Sequence, residues 1–184
     1  MFFKRFLLLT LTLLSIDTFA DAPRTYNIQM IVFSHLTPQS LSAEQWPILP
    51  IPSTINAPTP ARSANALQGE ANNLRKNPEY QVLWSGSWTQ TWQQGNGTVT
   101  LPLSNGNNLQ GNITVTLGHY FDIHTDLMMI QPTSYLQKIA KNSYFNNISQ
   151  SSFGFQLTQD RRMKSGELNY LGNPVVGVLI KILK

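Results

Sequence analysis

The sequence predicts an α+β domain: mainly an antiparallel sheet, strongly bent or barrel-like, with one principal helix. Three observations carry this. Apolar residues alternate with polar ones over several long stretches, the period of a half-buried strand. Short turn-forming clusters, QQGNG at 93–97, KSGE at 164–167 and GNP at 172–174, punctuate the strand candidates. Only residues 63–77 combine a helical stripe with start and stop signals.

Not all of the 184 residues are expected to enter this fold. Lys4 and Arg5 precede an apolar run, Phe6 to Leu14, broken only by Thr10 and Thr12, and Thr18-Phe19-Ala20 follows. That is the layout of a secretory signal peptide, with cleavage expected after Ala20. The run is too short for a permanent membrane span. Removing residues 1–20 leaves 11 Lys and Arg against 8 Asp and Glu, a net +3. This is far from the dense basic footprint of a nucleic-acid binder, though compatible with an acidic polymer. The chain has no cysteine, so it has no attachment point for a bacterial lipid anchor and no disulfide framework. The expected product is one periplasmic domain, residues 21–184, which is long enough to bury a core unaided.

Arg24 to Ser34 reads as the first strand. Tyr26, Ile28, Met30 and Val32 share one face, and Ile31 and Phe33 suggest partial cover on the other. Six of the 11 prolines lie between Pro38 and Pro60, so 37–61 is expected to be a long extended connection, anchored by Trp46. The helix at 63–77 is expected to start at a Ser63 cap and place Ala64, Leu67, Ala71 and Leu74 on one stripe. Arg75 and Lys76 complement its dipole, and Pro78 stops it. Glu79 to Trp92 is a strand with Tyr80, Val82, Trp84, Trp88 and Trp92 on one side, and Gly86 marks a bulge or bend.

From Leu109 to Met129 the apolar residues fall on odd positions, over a length that must bend or reverse near Gly118. A two-residue loop there would turn Asp122, His124 and Asp126 into the core. A bend, or a three-residue loop pairing Leu117 with Phe121, keeps the apolar face continuous, and the bend is the preferred reading. SYLQKIAK at 134–141 allows at most two helical turns. Ser152 to Met163, Leu168 to Leu171 and Val175 to Ile182 are the last strands.

Catalytic signatures are missing. Lys164-Ser165-Gly166 matches the Lys-Thr/Ser-Gly triplet of penicillin-binding proteins, but no lysine follows a serine by three residues, as the partner motif requires. No G-x-S-x-G, H-E-x-x-H or P-loop occurs. Nothing brings two carboxylates together in sequence for glycan hydrolysis. Asp122, His124 and Asp126 have a spacing that a metal would accept, yet they read as the solvated face of a strand. The protein is therefore read as a non-enzyme with no cofactor and no metal. Trp84, Trp88 and Trp92 suit either a core or a ladder for sugar rings; Trp88 and Trp92 are carried as ligand-binding candidates. Arg161, Arg162 and Lys164 form the densest cation cluster. Arginine grips carboxylates bidentately, so these three are the other candidates, against the simpler reading of a solvated strand end with one arginine paired to Asp160 or Glu167.

YNIQMIVF at 26–33, EQW at 44–46, NPEYQVLWSGSWTQ at 77–90 and LQGNITVTLGHYFDIHTDL at 109–127 resemble segments of the CsiV family of periplasmic peptidoglycan-binding proteins. RRMKSGELNYLGNPVVGVLIKI at 161–182 is similar to that family's closing motif. Asn169 stands where the family tends to have His, Gly172-Asn173 where it tends to have Asp-His, and 37–61 is short for the family. The resemblance implies a non-enzymatic accessory protein that binds peptidoglycan and supports cell-wall synthesis. It would act beside penicillin-binding synthases and their outer-membrane lipoprotein activators. The alternatives are a protein–protein adaptor of envelope synthases, working through a patch near Trp46 or Trp92, and a carrier of an apolar ligand inside a curved sheet.

Overall fold

The first strand, β1 (Arg24–His35), is apolar on both sides along its second half. Ile28, Met30 and Val32 are buried on one face, Ile31 and Phe33 on the other. Such a strand belongs in the interior of a sheet. In the computed structural model, which describes residues 22–51 and 67–184, β1 lies between β2 (Tyr80–Trp92) and β8 (Val176–Leu183). Strand β7 (Leu168–Gly172) completes this first sheet, ordered β2-β1-β8-β7. The second sheet is a meander of β3 (Gly97–Ser104), β4 (Leu109–Leu117), β5 (Phe121–Pro132) and β6 (Ser152–Met163). All neighbours are antiparallel.

The order follows an up-and-down barrel, with β8 returning to β1, but the two sheets do not close into one. Side chains tie them instead of a ladder. The Gln159 amide bonds the backbone of Gly172 both ways, each at 2.8 Å, and Asn173 Nδ2 donates to the Gln156 carbonyl at 2.9 Å. Both inner faces feed one apolar cluster. Trp84, Trp88 and Trp92 of β2 enter it together with Phe121, Phe153 and Phe155 of the second sheet. Withdrawing each such side chain from water contributes roughly 1.5–3 kcal/mol.

Three local readings are corrected. The chain does not bend at Gly118 but reverses there. Leu117 pairs with Phe121 across a three-residue loop closed by the Gly118 amide donating to the Tyr120 carbonyl at 2.9 Å. The parity argument holds, because Ile123 and Leu127 point inward and Asp122 and Asp126 outward. Gly86 is not the bulge; it pairs regularly with Met30, and the register slips instead between Val32 and Phe33, opposite Leu83. Proline does not keep all of 37–61 irregular. α1 (Pro38–Ser42) forms behind a Thr37 capping box, with Pro38 in the first turn, where its missing N–H costs nothing. Trp46 is buried as expected, its indole N–H donating to the Leu41 carbonyl at 2.9 Å.

The principal helix, α2 (Gln68–Lys76), lies on the outer side of the first sheet through Ala71 and Leu74; the expected Ser63 cap, residues 52–61 and the leader 1–20 fall outside the described residues. α3 (Thr133–Ile139) provides the two turns expected after β5. Among the described residues, no helix is long and apolar enough to cross a membrane.

Candidate functional site

On the second sheet, outward-facing residues form rows across the strands, because antiparallel register sets side chains of one face opposite each other. One row runs Thr98, Thr116, Asp122, Arg162; the next runs Thr100, Thr114, His124, Asp160. The threonine hydroxyls pair at 2.9 and 3.0 Å. His124 Nδ1 lies 2.8 Å from the Asp160 carboxylate. The Arg162 guanidinium donates twice to Asp122, at 2.7 and 3.2 Å. A shallow cleft of about 540 Å³ lies over these rows, with Arg161 and Arg162 in its wall.

Arg162 holds the Asp122 carboxyl below the usual carboxylate range, chiefly by hydrogen bonding, and Asp122 raises the arginine in return. Both groups are exposed, so water and salt screen most of the pair. The partner is neither of the two expected. Asp160 takes His124, and Glu167 accepts the backbone N–H of Lys164 at 2.9 Å, closing the KSGE turn. Asp126 accepts from Gln156 at 3.1 Å. The polar face of β5 thus spends its groups on separate partners, and no cluster of three potential metal ligands occurs among the described residues.

The structure places Arg161 and Arg162 in the wall of one cleft and Lys164 in another. Adjacent residues of a strand point to opposite sides. Arg162 faces outward, whereas Arg161 reaches over the seam to the Tyr170 carbonyl at 3.3 Å. Lys164, beyond the strand end, lines a second cleft of about 390 Å³ with Arg24, Tyr26, His119 and Tyr120. The two clefts adjoin at Tyr120, whose ring lies 5.9 Å beneath the Arg162 guanidinium. One end of the molecule therefore carries Arg24, Arg161, Arg162, Lys164 and His119. Among the described residues, only Arg162 of these has a carboxylate within ion-pair distance.

Arg24 and His119 are the members that sequence reasoning missed. The signal was present only as topology: the start of β1 meets the β4–β5 loop. Trp88 and Trp92 do not line these clefts, although Trp92 pairs with Arg24 across β1 and β2. They are 8% and 4% exposed, and Trp92 packs against Tyr26 and Phe121, with centroids 6.1 and 6.2 Å away. Their faces point into the core rather than onto a surface open to a polymer. Trp46 is buried as well, edge-on to Phe155 at 5.0 Å.

A family model described as "Peptidoglycan-binding protein, CsiV" matches residues 55–184, from ahead of α2 through β8, and leaves β1 outside the matched span. No curated protein and no solved structure matches the chain. With the greater part of its length covered, including the closing motif from Arg161 to Ile182, the chain belongs to the CsiV family.

Proposed function

We propose that the protein is a non-enzymatic peptidoglycan-binding accessory protein of the periplasm, secreted by its leader and free of a lipid anchor. Its basic end, Arg24, Arg161, Arg162 and Lys164, holds carboxylates of the stem peptides. The protein supports wall synthesis beside penicillin-binding synthases and their outer-membrane lipoprotein activators.

One observation carries the reading. Lys164 and Arg24 share a cleft in which, among the described residues, neither has a carboxylate within ion-pair distance. Cations left unpaired beside a concave surface are available to an acidic polymer, and a guanidinium matches a carboxylate in geometry as well as in charge. The family description agrees with a polymer of that chemistry. Exposed contacts of this kind are screened, so binding should weaken with salt.

The test is co-sedimentation with purified sacculi across a salt series. Changing Arg161, Arg162 and Lys164 to Gln should lower the bound fraction roughly threefold to tenfold at low salt and flatten the salt dependence. If the wild-type protein stays in the supernatant at low salt, the reading is wrong.

A further inference from the structure

A third cleft, of about 270 Å³, opens on the outer side of the first sheet. Phe33, His35, Tyr80 and Tyr170 supply its rings, and Pro174 closes one side. No Lys, Arg, Asp or Glu lines it.

These rings are held in place. Gly172 and Gly177 oppose each other directly across the β7–β8 hairpin. A Cβ at Gly172 would sit 2.0 Å from the Tyr170 phenol oxygen; one at Gly177 would sit 2.5 Å from Phe33 Cζ. The far ends of both rings rest where those side chains would stand. Phe33 then contacts Tyr80 edge-on at 5.6 Å and Tyr170 at 6.3 Å. His35 stacks on Tyr80 at 4.6 Å and 17°, with its Nε2 3.5 Å from the Glu79 carboxylate. Four rings therefore form a row seated on a glycine floor, and Tyr170 still leaves 49% of its surface open. A fixed aromatic surface loses little entropy on meeting a ligand.

The bulge at Leu83 makes this possible. Without that extra residue, Tyr80 and Val82 would share the inward side with Trp84; with it, they face outward beside Phe33 and His35.

We infer that this cleft is a glycan subsite, in which Tyr170 and the Tyr80–His35 pair stack against one N-acetylhexosamine ring of a glycan strand. The lining chooses the ligand. A lining rich in rings, with no Lys, Arg, Asp or Glu side chain, complements an uncharged sugar, and an aromatic ring matches the C–H face of a pyranose. The inference rests on the peptidoglycan reading above and divides the polymer between two surfaces, sugar here and carboxylate at the basic end.

The probe is a neutral N-acetylglucosamine tetramer, titrated calorimetrically and by NMR of the aromatic protons. Wild-type protein should bind it, with shifts at Tyr80 and Tyr170. Tyr170→Ala should weaken it at least about tenfold, the scale of one lost stacking contact. Tyr135→Ala, at a tyrosine 44% exposed on α3, should change nothing. The NMR shifts of the wild-type protein test the site even if Tyr170→Ala fails to fold. If sacculi pellet the protein but the tetramer does not bind, the subsite is wrong and the proposed function stands. If neither binds, both fall. Binding with no shift at Tyr80 or Tyr170, or with unchanged affinity in a folded Tyr170→Ala, overturns the inference.

Discussion

The two sheets have similar inner faces and opposite outer ones. Both are four-stranded, antiparallel and apolar toward the shared core. Outside, the second sheet is a grid of threonines, Asp122, His124, Asp160 and Arg162. The first sheet carries Ile31, Phe33, Tyr80, Val82 and Leu179, partly covered by α2. The inner faces account for folding. The outer faces differ in what they offer a partner: hydroxyls and charge on one, fixed rings over glycine on the other. A polymer with both sugars and carboxylates has a use for each.

The sharpest way to test this contrast is through glycine. In the second sheet Gly111 has φ +138°, and a Cβ there would meet the Asp126 carbonyl oxygen at 2.1 Å and Leu127 Cα at 2.8 Å. The obstacle is backbone, which cannot move without breaking the β4–β5 ladder. In the first sheet, Gly177 faces the end of the Phe33 ring, a side chain that can yield at a smaller cost than a backbone ladder. Gly111→Ala should therefore lower stability by about 3 kcal/mol or more, and Gly177→Ala by about 1 to 2 kcal/mol. Urea unfolding followed by circular dichroism measures both. Equal losses would mean that Phe33 is as rigidly fixed as backbone.

Next in size is the seam. Gln159→Ala removes both bonds to Gly172 and leaves its half-buried N–H and C=O without that partner. The cost should be about 1–2 kcal/mol. Gln159→Glu loses the donated bond to the Gly172 carbonyl and should fall at least as far. Amide exchange at Gly172 should rise in Gln159→Ala, which removes the acceptor of that N–H, and an unchanged rate there would show that the seam does not depend on this amide.

Much of the contrast was legible beforehand, and the failures have physical causes. Alternation marked β1, β2, β4, β5 and β6 because each buries one face against the core. β3 went unassigned. Val99, Leu101 and Leu103 alternate, but Pro102 within the run argues against a central strand; β3 is an edge strand paired only with β4, where proline is tolerated. The bulge was sought at the glycine and lies instead at Leu83, a residue with no local mark. Its carbonyl is met by Asn105 Nδ2 at 3.3 Å from the β3–β4 turn, a contact between residues distant in sequence. That slip moved Tyr80 and Val82 to the outer face and hid the aromatic row. Charge partners failed for the same reason: Asp122 and Arg162 meet only through the β5–β6 register.

A smaller effect belongs to Tyr170. Partial burial, and then the neighbouring Tyr80, push its phenol above the usual 10.0. Tyr170→Phe should remove a late component from the alkaline absorbance titration. A raised folded-state pKa means that the contribution to stability is fully present below the unfolded pKa and is lost as pH rises through the folded one. Wild-type stability should thus fall above pH 10 more steeply than that of Tyr170→Phe. Parallel curves would place Tyr170 in a more open setting than the cleft describes.

The smallest expected change in stability, and the most telling in binding, is Asp122→Asn. The pair with Arg162 is exposed and screened, so the unfolding midpoint should hardly move. The sign is still defined. Asp122 is held below its ordinary range, so whatever stability it contributes is present above the unfolded carboxylate pKa and is lost as pH falls through the folded one. The substitution should flatten that slight acid-side slope. It also releases Arg162 beside Tyr120, at the join between the two basic clefts, where the guanidinium becomes free to reach an incoming carboxylate. Retention on sacculi at low salt should rise roughly twofold to threefold, while affinity for the neutral tetramer stays fixed. A rise for both ligands would mean that the two outer faces do not divide the polymer between them.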